Sequence, residues 1–259
     1  MKRREFLSLT ALGAVGLLRA GAPFQAVAQA TRKILIAGGN FGTGFIRYMA
    51  SLTGVRRPKL LYLPTASADS QTGIIGWYKS CAPLEVYPLV QDSFIASARQ
   101  KQSWEEVLLT VDGIVASGGN TLNQQAIWRA QGIDVILRKA WDKGIVLGGA
   151  SAGSICWFEE GTTDSRPKEL TVVQGLGFLK GSHCPHYDAE KDRRPFYQKL
   201  IASGELKPGY ACDNDAGIYF ENDSAKRIVA TRADAKVYYV SAVAGRAVEK
   251  QLDAEMIEP

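Results

Sequence analysis

The sequence predicts an α/β protein: a mostly parallel sheet with helices on both faces, extended by antiparallel strands in its C-terminal part. Three observations carry this. Short apolar, β-branched runs alternate with helix-spaced segments through the first half, the pattern of strands buried on both faces by crossover helices. Glycine-rich turns follow three of these runs, at Gly38-Gly39, Gly118-Gly119 and Gly148-Gly149. Beyond about Leu170 the strand-like pieces become shorter.

In order, the expected strands are Lys33–Ala37 (KILIA), Lys59–Leu63 (KLLYL), Leu84–Leu89, Gly113–Ala116 (GIVA) and Gly144–Leu147 (GIVL). Helical apolar spacing marks Phe45–Leu52, Thr72–Cys81, Trp104–Val111 and Ile133–Asp142. Gly217–Phe220, Arg227–Ala230 and Lys236–Val240 read as an antiparallel extension of the same sheet, and Arg193–Ala202 as a helix. No internal repeat or low-complexity linker divides the chain, so residues 31–259 are expected to form one domain.

The first thirty residues read as a removable export signal. Lys2-Arg3-Arg4 precede Phe6-Leu7, an apolar run spans Leu9 to Leu18, and Ala28-Gln29-Ala30 supplies a cleavage site. Adjacent arginines before an apolar run resemble a twin-arginine signal, which implies a periplasmic protein folded before export. The run falls short of the roughly 20 residues a membrane-spanning helix needs, so no stable insertion is expected after removal. Lys2, Arg3, Arg4 and Arg19 against Glu5 give this segment +3 of the formal +5, leaving the mature chain near +2. So small an excess, without a basic run interleaved with aromatics, excludes a nucleic-acid footprint.

With 46% hydrophobic and 22% charged residues, the 259-residue chain has the material for a sizeable core and is neither disordered nor a disulfide scaffold. Its four cysteines, Cys81, Cys156, Cys184 and Cys212, form no CxxC pair and read as buried thiols. The chain has only two histidines, His183 and His186, so any imidazole chemistry uses one of them.

Gly149-Ala150-Ser151-Ala152-Gly153 follows the strand GIVL and precedes a helix-compatible stretch. A G-x-S-x-G there makes a nucleophile elbow: small neighbours let the backbone turn sharply and raise the serine hydroxyl above the sheet. A serine hydroxyl needs a base to take its proton. In Ser182-His183-Cys184-Pro185-His186-Tyr187-Asp188, an extended backbone sends the two histidines to opposite faces, so one of them can serve Ser151. A metal reading of His183, Cys184, His186 and Asp188 would need ligands from a second cluster that the sequence does not supply, so neither metal nor cofactor is expected. Ser117-Gly118-Gly119-Asn120-Thr121 closes the preceding strand with glycines whose N–H groups are free to meet an oxyanion. GGNFGTG after the first strand lacks GxGxxG spacing and reads as a tight turn.

GGASAGS, SGGNT and CPHYD, in that order along the chain, resemble the serine peptidases of family S51. The resemblance implies a flavodoxin-like fold related to class I glutamine amidotransferases, and hydrolysis of amide bonds beside aspartyl residues in small peptides. It makes Ser151 the nucleophile and His186 the base, with the N–H of Ala152 and of Gly118 or Gly119 as the oxyanion hole. Asp164 is the implied third member, with Asp215 as the alternative. Asn120 and Arg194 fall where substrate contacts are implied, the arginine beside a substrate carboxylate. An α/β-hydrolase-like esterase and a non-catalytic amidotransferase-like binding domain are the alternative readings.

Overall fold

The computed structural model describes residues 30–259. The export signal expected over residues 1–30 thus lies, apart from Ala30, outside the described residues. Five strands, β1 (Lys33–Ala37), β2 (Lys59–Leu63), β3 (Tyr87–Val90), β4 (Gly113–Ala116) and β5 (Val146–Ala150), run parallel in the order β3-β2-β4-β5-β1. Between them come α1 (Thr43–Thr53), α2 (Gln71–Cys81), α3 (Trp104–Leu108), α4 (Thr121–Gln131) and α5 (Ile133–Asp142). This is the parallel, helix-covered sheet the sequence pattern predicts and the flavodoxin-like arrangement the family resemblance implies.

Alternation along the strands feeds two apolar layers. Ile34 and Ile36 of β1 join one with Trp128, Leu137 and Trp141, while Leu35 and Ala37 join the other with Phe45, Met49 and Trp77. The first layer is covered by α4 and α5, and the second by α1 and α2. In α5 the buried residues Ile133, Leu137, Ala140 and Trp141 recur at helical spacing, the stripe that marks the helix in the sequence. Helix α4 has no such stripe. Its buried face is Thr121, Gln124, Gln125 and Trp128, so its signals are its ends: Asn120 caps the first turn and Gly132 closes the last with a left-handed φ of 71°.

The second half departs from a simple extension. After α6 (Ala152–Ile155) come β6 (Phe158–Arg166), β7 (Glu169–Gln174), β8 (Leu179–Cys184), α7 (Arg193–Ser203), β9 (Gly209–Cys212), β10 (Ala216–Glu221), β11 (Ser224–Ala230), β12 (Val237–Val243), β13 (Arg246–Leu252) and β14 (Glu255–Met256). Strands β10 and β11 do extend the first sheet, pairing antiparallel with β1 and with each other. The expected strand at Lys236–Val240 does not. As β12 it joins a second, six-stranded sheet in the order β13-β12-β9-β8-β6-β7. Val237 and Val240 of this strand are fully buried, in separate apolar clusters: Val237 with Phe158, Leu179 and Phe220, and Val240 with Tyr197 and Ile201 of α7.

Chain order fixes where a ligand can sit. The path from β1 to β2 skips two positions that β4 and β5 later fill. At such a crossing the loops at the carboxyl ends of the strands part and leave a crevice. The turns after β1, β4 and β5 all open into it.

Candidate active site

Strand β5 runs three residues further than the sequence predicts, to Ala150, the residue before Ser151. Two glycines allow this in the most crowded part of the sheet. Any Cβ at Gly149 would overlap the carbonyl of Ala116 on β4, and Gly149 itself holds φ 146°. Ser151 then turns the chain with φ 57° and ψ −122°, a conformation that L-residues rarely hold. Its carbonyl accepts from the N–H groups of Ser154 and Ile155, at 2.9 and 3.0 Å, which fixes the start of α6. Gly153 meets Ala116 so closely that no side chain fits there. The G-x-S-x-G spacing therefore has a steric cause at each glycine.

Gly118 lies against the serine: a Cβ built on it would come 3.4 Å from Ser151 Cβ and 3.8 Å from Ser151 Oγ. Gly119 instead turns away with φ 131° and presses on the backbone of Ala66. Ala152, at the first position of α6, has an N–H that the helix itself does not use.

His186 reaches the same edge from the other sheet. It follows β8, adopts φ 53°, and donates its backbone N–H to Gly38 O at 3.3 Å. Gly38 follows Ala37, which pairs with Ala150 in the sheet, so the turn after β1 and the elbow carrying Ser151 leave adjacent parallel strands side by side, and the turn carrying His186 docks on the first of them. The imidazole Nδ1 lies 2.7 Å from Oδ1 of Asn214. Asn214 is itself pinned: its N–H donates to Asp188 Oδ1 at 2.8 Å, and it bridges to Gly39. A side chain on Gly39 would collide with Asn214 and come 2.9 Å from His186 Nδ1.

His183 is built differently. It is fully buried and stacked on Phe158 with ring centroids 5.0 Å apart, and burial lowers its pKa to about 3. Its Nδ1–H donates to Tyr210 O at 3.1 Å, and its Nε2 faces Ser154 Oγ at 2.9 Å. That hydroxyl also lies 2.7 Å from the Ser151 carbonyl. His183 is thus a neutral group packed behind the elbow.

The other expected site residues fall elsewhere. Asp164 does not reach His186: it is largely exposed, and its carboxylate pairs with the buried guanidinium of Arg193 at 3.3 Å. Strand β6 carries Asp164 toward α7, and Asn214 holds the position beside the imidazole. Asp215, next to Asn214, accepts from Asn40 Nδ2 at 3.0 Å and from Arg232 Nε at 3.2 Å. Asn120 spends both ends of its amide on structure, accepting from Asn123 N–H at 2.9 Å and donating to Ser165 O at 3.1 Å. Arg194 is held by both oxygens of Glu249 and lies over the rings of Tyr187 and Tyr238. The sequence reading did not single out Asn214. Asp213-Asn214-Asp215 gives no sign of which side chain meets the histidine until β9 and β10 are placed.

A cleft of about 440 Å³ opens at the elbow. Ser151, Gly118, Val115, Tyr62, Trp77 and Phe41 are among the residues lining it, drawn from β2, β4, β5, α2 and the turn after β1. All four cysteines are buried free thiols, with Cys81 and Cys184 pushed up by burial to about 12. Among the described residues, no group of three or more His, Cys, Asp or Glu is placed to hold a metal ion, and no helix is long and apolar enough to cross a membrane.

Fold and site together define a flavodoxin-like α/β enzyme whose serine elbow borders a cleft at the carboxyl ends of its parallel strands. The sequence profile of peptidase family S51 matches residues 23–228. Over 194 residues the chain is 43% identical to the uncharacterized peptidase YgaJ of Bacillus subtilis (strain 168), covering 75% of this chain and 83% of that one. The chain belongs to peptidase family S51. A crystal structure of a peptidase from an acI-B1 Actinobacterium superposes with a TM-score of 0.68 at 16% identity, over 88% of this chain and 97% of that one. A structure from Listeria monocytogenes EGD-e superposes with a TM-score of 0.57 at 17% identity, over 78% of this chain and 100% of that one. At these identities the superpositions speak for the fold.

Proposed function

We propose that this peptidase works by a serine mechanism on small peptides, with Ser151 as nucleophile and His186 as general base. The observation that carries the reading is the adjacency of the two turns: Ser151 leaves β5 beside Gly38, the first residue after β1, and Gly38 O holds the backbone of His186. Asn214 supports it from behind. An amide oxygen at Nδ1 selects the tautomer with the proton on Nδ1, which leaves Nε2 basic and free to accept.

In this mechanism Ser151 Oγ attacks the amide carbonyl as His186 Nε2 takes its proton. The N–H groups of Ala152 and Gly118 receive the developing oxyanion, Gly118 rather than Gly119 because it is the glycine beside the serine. The imidazolium then gives its proton to the leaving amine, breaking the C–N bond and leaving an acyl-serine. A water molecule, deprotonated by the same imidazole, releases the acid. Asn214 orients the imidazole in the place the family resemblance gives to Asp164.

Aspartyl peptides, which the family resemblance brings, are the substrate class to test first. We also propose export through the twin-arginine route, on the strength of Lys2-Arg3-Arg4 and Ala28-Gln29-Ala30. The test of function is a peptide-library digest read by mass spectrometry, comparing wild type with Ser151→Ala. Cleavage by wild type alone is expected. Equal cleavage by both would overturn the serine mechanism. Hydrolysis of p-nitrophenyl esters without any peptide cleavage would favour an esterase, and saturable peptide binding without a Ser151 adduct would favour a binding domain.

A further inference from the structure

We propose that the residue whose carbonyl Ser151 attacks carries an apolar, and best of all aromatic, side chain, received by the uncharged cleft between Phe41, Tyr62 and Trp77. The proposal rests on Ser151 as nucleophile and departs from the aspartyl expectation.

The side chain nearest the attacked carbonyl sits one carbon away from it, so it enters the space that has Ser151 in its wall. None of the residues lining that space is charged. Its one ionisable lining group is the Tyr62 phenol, whose pKa burial raises, so it stays neutral. The basic group expected near a substrate carboxylate, Arg194, is outside the lining and bound to Glu249. A carboxylate placed here would give up its water and find no cation, the arrangement that buried charges avoid.

The same walls suit a flat apolar group. Tyr62 stacks on Trp77 with rings 5.3 Å apart and 11° from parallel, and Phe41 rests on Phe45 at 5.6 Å. Both wall rings are therefore braced from behind and only half-buried themselves, leaving a face for a third ring. Space comes from α2, where Gly73 and Gly76 lie one turn apart on the cleft side. A Cβ at Gly76 would meet nothing within 4 Å. Glycine inside a helix weakens it relative to alanine, and here its absent side chain leaves room in a cleft that adjoins the serine.

The test is the rate at which aminoalkyl diphenyl phosphonates modify Ser151 in the full-length protein, followed by intact mass and peptide mapping. Benzyl, methyl and carboxymethyl side chains report phenylalanine-like, alanine-like and aspartate-like occupants. The benzyl reagent is expected to react at least about tenfold faster than the carboxymethyl one. Gly76→Leu fills open space, so it is expected to melt no lower than wild type, to slow the benzyl reagent at least about tenfold, and to leave the methyl reagent within about twofold. A carboxymethyl reagent that matches or outpaces the benzyl one overturns the proposal. So does a folded Gly76→Leu protein that keeps the wild-type order of rates. A generic fluorophosphonate separates the two levels of the reading. If it labels Ser151 while the three side chains make no difference, the cleft assignment fails alone. If it leaves Ser151 unlabelled, the serine mechanism fails and takes the cleft assignment with it.

Discussion

The imidazole Nδ1 of His186 and the amide oxygen of Asn214 are 2.7 Å apart, and Asn214 is anchored by Asp188 and by its bridge to Gly39. A neutral amide can orient the imidazole without a negative charge to stabilise the imidazolium. Asn214→Ala is expected to lower kcat/KM for peptide cleavage by about 10²-fold, chiefly through kcat, because the unheld ring loses its tautomer and its aim. Asn214→Asp keeps an acceptor at Nδ1 and adds charge. It is expected to retain peptide cleavage where Asn214→Ala loses it, measured in the same kcat/KM assay.

The carboxylates named by motif have structural work instead. Asp164→Ala leaves Arg193 with Glu190 and the Thr162 carbonyl, at 2.6 and 3.0 Å. Peptide cleavage is expected to stay within about threefold of wild type, with stability lower by no more than about 1 kcal/mol in urea unfolding, since the carboxylate is largely exposed. A hundredfold loss of kcat in a folded Asp164→Ala protein would restore it as the orienting residue.

Ser151 is held in a conformation that glycine adopts more easily. Ser151→Gly is expected to abolish cleavage and to raise stability by about 1 kcal/mol, the strain released at the elbow. Comparing its urea midpoint with that of Ser151→Ala, which keeps the strain, isolates the backbone effect from the loss of the hydroxyl.

His183 makes a pH prediction with a definite sign. Its pKa falls from about 6.5 in the unfolded chain to about 3 in the folded one, because burial disfavours the charged form. Between those values the unfolded chain binds the extra proton, so stability is lost as pH falls below about 6.5, at up to about 1.4 kcal/mol per pH unit from this group. His183→Gln is expected to flatten that part of the curve, measured by urea unfolding between pH 7.5 and 4.5.

What could be read from sequence was what repeats or what is sterically forced. The strands KILIA, KLLYL and GIVA are found at their predicted bounds because buried parallel strands are written as continuous apolar runs. The elbow was legible because its glycines answer clashes with β4. Helix α4 was not, because its inward face is Thr121, Gln124 and Gln125 rather than a leucine stripe. Nor was the second sheet: strands such as Phe158–Arg166 (FEEGTTDSR) carry a polar half with no apolar alternation. Asn214 stayed hidden for a related reason. It meets His186 from 28 residues away, because β8 and β9 pair in parallel and end at Cys184 and Cys212, which sets the two following turns side by side.

The division of Ser151 and His186 between two sheets has a consequence for how activity is assembled. Ser151 belongs to the eight-stranded sheet, and His186 is delivered by β8 of the six-stranded one. Neither sheet supplies the proposed reactive pair by itself. The largest apolar cluster joins both sheets, Ile34 and Ile36 with Phe158, Leu179 and Val237, so the sheets dock as the core forms, and under the proposed mechanism hydrolysis returns on refolding only once that docking is complete. A protein that folds before it is exported would cross the membrane with that docking complete, its activity already a certificate of correct assembly.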